Sequence, residues 1–290
     1  MSSKGKSGKD AGGNVNVNGS RIATYDGGNI SIVSEAGNVD AGSGGLGSVL
    51  LFRTSIDPVT GLVTINTTSI PGSGILATTL PGGQSRLGNI HIEAKDGSVI
   101  ADKGGVLQLS FNGVKENDSA TIDITASGHK TDATKGNIEA KNSGIIGGNV
   151  NLKADGDITG LVVAKQDINI DSKGNVSVTA LAQGNASVSG ASISGSTIVG
   201  GESVSASAAS ISDSALVSGS VSSSGTQSGV QSGVGTTAAA TATKVSDDAE
   251  KTVASTKKDD EEEDPKKKKK PIQLARTSGR VTVILPNQPK

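Results

Sequence analysis

A five-residue phrase recurs through this chain and limits what it can fold into: glycine, asparagine, then apolar, polar, apolar. It stands at Gly13-Asn14-Val15-Asn16-Val17, Gly28-Asn29-Ile30-Ser31-Ile32, Gly88-Asn89-Ile90-His91-Ile92, Gly148-Asn149-Val150-Asn151-Leu152 and Gly174-Asn175-Val176-Ser177-Val178. Looser copies begin at Ala120, Gln166 and Gly184. Gly and Asn form turns, and the alternation that follows describes a short strand with one apolar face. A strand of that kind cannot bury its apolar face alone. Stacking successive copies buries it.

Composition points the same way. Of 290 residues 41 are Gly, and the only aromatic side chains are Tyr25, Phe52 and Phe111. A compact globule of this length draws its buried area from Phe, Trp and Leu. Here Val, Ile and Ala are interleaved with Ser, Thr, Asn and Gly, which favours strands and turns. The expectation is an all-β chain, a right-handed parallel β-helix with a narrow core of β-branched side chains.

The rhythm divides the chain. Residues 1–12 read as a disordered lead-in and residues 13–223 as the coil, interrupted by an excursion over 46–87. That excursion carries the apolar run Val49 to Phe52 and turns at Asp57-Pro58, Pro71 and Pro81, and reads as a hairpin against the coil's side. It either covers a hydrophobic edge or supplies binding specificity. Ile90, Val106, Ile122 and Ile138 lie about 16 residues apart, which suggests a turn of about 16 to 20 residues. At that period the coil has roughly ten turns and is about 48 Å long. From Val150 to Val176 shorter steps suggest two strands per turn. From Val188 to Val221 the beat falls to about five, which suggests a slimmer, weakly packed continuation. Residues 224–271 form a low-complexity linker in which Asp259 to Asp264 face Lys266 to Lys270. Residues 272–290 are a tail with a strand at 281–285, suited to docking on a sheet edge.

Charge and motifs exclude several classes. Net charge is −1, and the acidic run offsets the lysine run, so no nucleic-acid partner is expected. The absence of Cys removes disulfides, thiolate metal sites and a thiol nucleophile. No run of 18 or more apolar residues predicts a transmembrane helix, and Met1 to Gly13 lacks the apolar stretch of a signal peptide. His91 lies on the polar face of a strand and His129 in a turn, neither within a spaced ligand set. There is no G-x-S-x-G elbow, phosphate loop, calcium nonapeptide array or Thr-x-Thr rank. A carbohydrate-active β-helix would need carboxylates converging across turns. Asp123, Glu139 and Asp157, with Lys141 and Lys153 nearby, are the candidates. The expectation is a non-enzyme with no catalytic, cofactor-binding or metal residues and no cofactor.

The phrases at Gly28, Gly88-Asn89-Ile90-His91-Ile92-Glu93-Ala94 and Gly148 to Ile158 resemble the filamentous haemagglutinin-like surface proteins of Gram-negative bacteria. The tail Gly279 to Pro286 is similar to the end of some large members. The resemblance spans about residues 12–200. It implies a β-helical adhesin exported across the outer membrane by a two-partner secretion transporter, secreted or held at the cell surface. Its partners would be host or bacterial surface glycans or proteins. Those proteins are far longer and open with a signal peptide and a capping secretion domain. Neither is seen here, so the expectation is a C-terminal portion or a secretion or anchoring module of a larger exoprotein. An uncapped first turn would favour end-to-end self-association.

Overall fold

The computed structural model of the chain describes residues 13–42, 44, 47–57, 59–60, 62–130 and 132–234. The expected lead-in, the linker beyond residue 234 and the tail with its strand at 281–285 lie outside the described residues. Within them the chain is a parallel β-helix. Twenty strands join one sheet wound into a coil, and every pairing along it is parallel.

The coil has three walls. The first is built from the recurring phrase: Ile30–Ser34, Ile90–Ala94, Thr121–Ala126, Asn149–Ala154 and Ile168–Ser172, then the leading halves of Asn185–Ser194, Ser203–Ser212 and Ser220–Ser228. The second runs from Val15–Asn16 and Val39–Asp40 through Val99–Ile100 to the openings of Ile138–Gly147, Ile158–Ala164 and Asn175–Ala182. The trailing halves of Asn185–Ser194 and the next two long strands complete it. The third stacks Arg21–Tyr25, Gly74–Thr78 and Val106–Leu109 beneath the trailing halves of the three long second-wall strands, then Thr197–Gly200, Ala215–Ser218 and Gln231–Val234.

Inside, like stands on like. Ile30, Ile90, Ile122, Val150, Ile168, Ala186 and Val204 form one buried column of the first wall. Ile32, Ile92, Ile124, Leu152, Ile170, Val188 and Ala206 form the next. One continuous apolar cluster results, fed by every wall. The alternation within the phrase selects it, because side chains two apart in a strand point the same way.

Turn length differs from the sequence expectation. Neighbouring turns are 60 residues apart at Asn29 and Asn89, 32 at Asn89 and Thr121, and 18 from Asn149 through Ser203, before the last turn shortens to 17 at Ser203 and Ser220 and 16 at Ala215 and Gln231. Ile90 and Ile122 belong to the first wall, Val106 to the third and Ile138 to the second. The 16-residue beat therefore counts steps between walls, not turns. The five-residue beat is the same effect: Val188, Ile193 and Ile198 sit on the first, second and third walls of one turn. This part is no weakly packed appendage, since Ile193, Ile198, Ile211 and Leu216 are fully buried. The coil also continues past the expected end at 223, through Gln231–Val234. Eight layers on the first wall give about 34 Å between first and last, shorter than the sequence expectation.

The excursion is a hairpin, Ser48–Ile56 paired antiparallel with Val63–Pro71. It is shorter than the interval 46–87, because Gly74–Thr78 has already rejoined the third wall. That wall is apolar on both sides. Leu76, Leu107, Ile146, Val163, Leu181 and Val199 point away from the main core into a second cluster with Ile70, and Val49 and Leu51 pack against it from the hairpin. The excursion thus does cover a hydrophobic stripe, at least over the early turns. A salt bridge from Arg53 to Asp26 at 3.4 Å fastens the same side.

One polar atom in this region lacks a partner. Thr24 shares a register position with Ala77 at the start of the third wall, and its buried hydroxyl makes no hydrogen bond. Valine keeps the shape and removes the buried hydroxyl. Thr24→Val is expected to stabilise the chain by about 1 kcal/mol, read as a rise in denaturation midpoint with unchanged slope.

Candidate interaction surfaces

The asparagine of the phrase closes the corners. At the corner leading into the first wall, Asn29 Oδ1 accepts the Asn89 N–H at 2.9 Å and Asn89 Oδ1 accepts the Thr121 N–H at 2.9 Å. Asn149 Oδ1 accepts from Asp167, and Asp167 Oδ1 from Asn185 at 2.7 Å. A second ladder climbs the corner before the second wall. Asn14 takes the Asn38 N–H, Asn38 that of Ser98, Asn137 that of Asp157, and Asp157 that of Asn175. Each side chain satisfies a corner amide of the next turn, where the ladder of strand bonds is interrupted. Asp157→Ala is expected to cost about 1–2 kcal/mol, whereas Asp157→Asn keeps the acceptor and stays within about 0.5 kcal/mol; urea unfolding of both measures the contrast.

Asp157 is therefore a corner acceptor. Asp123 lies on the outer side of the first wall, with Oδ1 accepting from Asn151 Nδ2 at 2.7 Å and Oδ2 from the Thr121 hydroxyl at 3.3 Å. Glu139 lies on the second wall, paired with Lys141 at 2.6 Å. The three carboxylates sit on two walls and a corner, and do not converge on a shared groove. Lys153 is exposed on the first wall in register with Thr125. His91 is exposed in register with Ser31 and Asp123. His129 Nδ1 lies 3.0 Å from the Lys135 carbonyl oxygen in its turn. Among the described residues, no three His, Asp or Glu side chains are grouped to hold a metal ion. No helix among them is long and apolar enough to cross a membrane.

Surface charges are used between turns. Lys95 meets Glu35 at 2.7 Å, Lys135 meets Asp96 at 2.8 Å, and Lys173 bonds Asp155. The hydrogen bond to Glu35 raises the Lys95 pKa, and that to Asp96 raises the Lys135 pKa. Lys173 holds the Asp155 carboxyl below its ordinary range. Such exposed pairs are screened by solvent, add little to stability and give the coil little outward field.

Two outer surfaces remain. The first wall ends in paired hydroxyl ranks: Ser187, Ser205 and Ser222 in one column, Ser189, Ser207 and Ser224 in the next. The hairpin presents the opposite chemistry. Its outer side carries Leu50 at 64%, Ile56 at 66%, Val63 at 57% and Ile65 at 62% exposed, with Phe52 among them. Val59 and Leu62 extend the patch to the tip. An exposed surface this rich in large apolar side chains, interspersed only with Thr54, Thr67 and Ser69, marks a contact region. The sequence located the excursion, but only the strand register shows which side chains face outward.

No family model matches the chain, and no curated protein and no solved structure is detectably similar to it.

Proposed function

We propose that the chain is a structural and adhesive element of a bacterial surface or secreted protein, a β-helical body that holds a repetitive contact face outward. The observation that carries this reading is the stacked outer wall. Identical small polar side chains recur at the strand spacing over successive turns, so many weak contacts to a repeating partner can form together. Surface glycans and surface proteins are the partners with that repetition. Export by an outer-membrane two-partner transporter, and end-to-end association of the coil through terminal strand edges that no other described strand pairs, belong to the same proposal. The test is adhesion of the full chain to immobilised cell-surface glycans and to whole bacterial cells. Saturable binding that Ser187→Lys and Ser205→Lys together weaken supports the reading. Binding no greater than to a bare surface, or binding indifferent to that pair, removes it.

A further inference from the structure

We propose that the outer side of the hairpin Ser48–Ile56/Val63–Pro71 is a self-association surface, on which the hairpin of a second copy of this chain stacks face to face. The inference goes beyond the adhesive reading, and this lateral contact is separate from any end-to-end association of coils.

Antiparallel register sets Leu50 beside Ser69, Phe52 beside Thr67, Thr54 beside Ile65 and Ile56 beside Val63 on that side, with no charged residue among them. The other side carries Val49, Leu51 and Ile70 where it packs on the coil. Toward the tip that other side is exposed as well, at Ser55 and Thr64. Both sides are wet there, yet the strands keep Ile56, Val63 and Ile65 on the outer side and hydroxyls on the inner. Packing on the coil does not account for that choice. A two-stranded hairpin is marginal in water unless its apolar side is covered. This one pairs with no third strand among the described residues. A second layer on the outer side supplies the cover.

Area, charge and symmetry select the occupant. The five large apolar side chains of this side, with Val59 and Leu62 at the tip, expose roughly 700 Å², near the ~800 Å² per partner that a stable interface buries. An uncharged surface gives a foreign protein no charge pattern to recognise, whereas two uncharged copies meet without desolvating any ion. A lipid surface is disfavoured by Asp57 at the tip. The Thr60 and Val59 amides donate to its carboxylate at 3.0 and 2.8 Å and hold its pKa below the ordinary range, so it stays charged. The same carboxylate selects the arrangement. Stacking tip on tip would bring two Asp57 groups together. A two-fold axis running across the strands sets tip over base and keeps them at opposite ends. Leu50 then meets the partner's Ile56, Phe52 the partner's Thr54, Ile65 the partner's Thr67 and Val63 the partner's Ser69. No hydroxyl faces another, and every contact has an apolar member.

Sedimentation equilibrium of the full chain over about 1–100 µM tests this. No glycan is present, so the outcome is independent of the adhesive reading. The parent should pass from monomer to dimer in that range and go no higher. Phe52→Asp and, independently, Ile65→Asp should each raise the dissociation constant at least about tenfold, because each buries unpaired carboxylates. Both positions are exposed in the single chain, so the circular dichroism of the dilute variants should match the parent's. An equimolar mixture of Phe52→Asp with Thr54→Lys should recover the dimer, since the two-fold axis sets that aspartate opposite the lysine. A parent that is monomeric at about 100 µM overturns the proposal, as does a dimer indifferent to both aspartates. A mixture that fails to associate, with the parent dimeric, overturns the stacking. Oligomers that grow beyond two and ignore Phe52→Asp assign association to the coil ends and overturn it. Binding to phosphatidylcholine vesicles by a chain that stays monomeric assigns the patch to lipid and also overturns it.

Discussion

Gly88→Ala is expected to destabilise the coil by about 3–5 kcal/mol, among the largest effects of any single methyl in this chain. The reason is proximity. A Cβ on Gly88 would land on the Gly28 carbonyl of the turn below and within 3.2 Å of the Asn29 amide nitrogen. Both neighbours are backbone, so no side chain can swing aside. The displaced atoms also hold the corner together: the Asn89 N–H donates to Asn29 Oδ1 and the Ile30 N–H to the Asn89 carbonyl, each at 2.9 Å. A control separates crowding from backbone conformation. Gly113 has φ +71° but open space where a methyl group would stand, so Gly113→Ala should cost only about 1–2 kcal/mol. Guanidinium unfolding of the two variants makes the comparison. Equal losses would place the Gly88 effect in the loop rather than in the contact between turns.

Gln108→Leu is expected to cost about 2–4 kcal/mol, despite placing an apolar side chain in an apolar interior. Gln108 is almost wholly buried in the third wall and ties three segments together. Its Nε2 donates to the Gly88 carbonyl at 2.8 Å and the Thr121 carbonyl at 2.9 Å, and its Oε1 accepts the Gly148 N–H at 3.1 Å. Leucine has similar bulk and offers none of these bonds, so groups at the start of three first-wall strands lose a buried partner. The Gly148 amide should exchange faster in Gln108→Leu than its neighbours in the same strand. Unchanged stability and unchanged exchange would mean that the three contacts contribute nothing net.

These two positions show what the sequence reveals and what it hides. The first wall is legible because its outer side faces solvent. Ile90, His91, Ile92 alternates buried and exposed, as the phrase does. The third wall is not, because Val106–Leu109 and Gly74–Thr78 are buried on both sides and carry no alternation. With one wall silent, the beat from Ile90 to Ile138 mixes three walls and mimics a short turn. Asn149 is legible as a turn residue and Asp157 only as an outward carboxylate, and their role as acceptors for the next turn depends on register 18 residues away. The hairpin interval stands out by its apolar content. That Val49 and Leu51 face the coil while Leu50 and Phe52 face outward is set by where the hairpin lies, which local sequence does not encode.

The central claim is that the regular coil has three walls and an 18-residue turn. Paired cysteines test it directly, because the chain has none of its own. Ser187 and Ser205 are register partners on the outer side of the first wall. Their Cα atoms are thus about 4.8 Å apart, inside the range a disulfide spans, whereas Ser189 and Ser205 lie on a diagonal of roughly 8 Å, outside it. Under mild oxidation Ser187→Cys/Ser205→Cys should form an intramolecular disulfide, and Ser189→Cys/Ser205→Cys should stay reduced. Cross-linking of the second pair and not the first would contradict the 18-residue turn and the three-walled coil built on it.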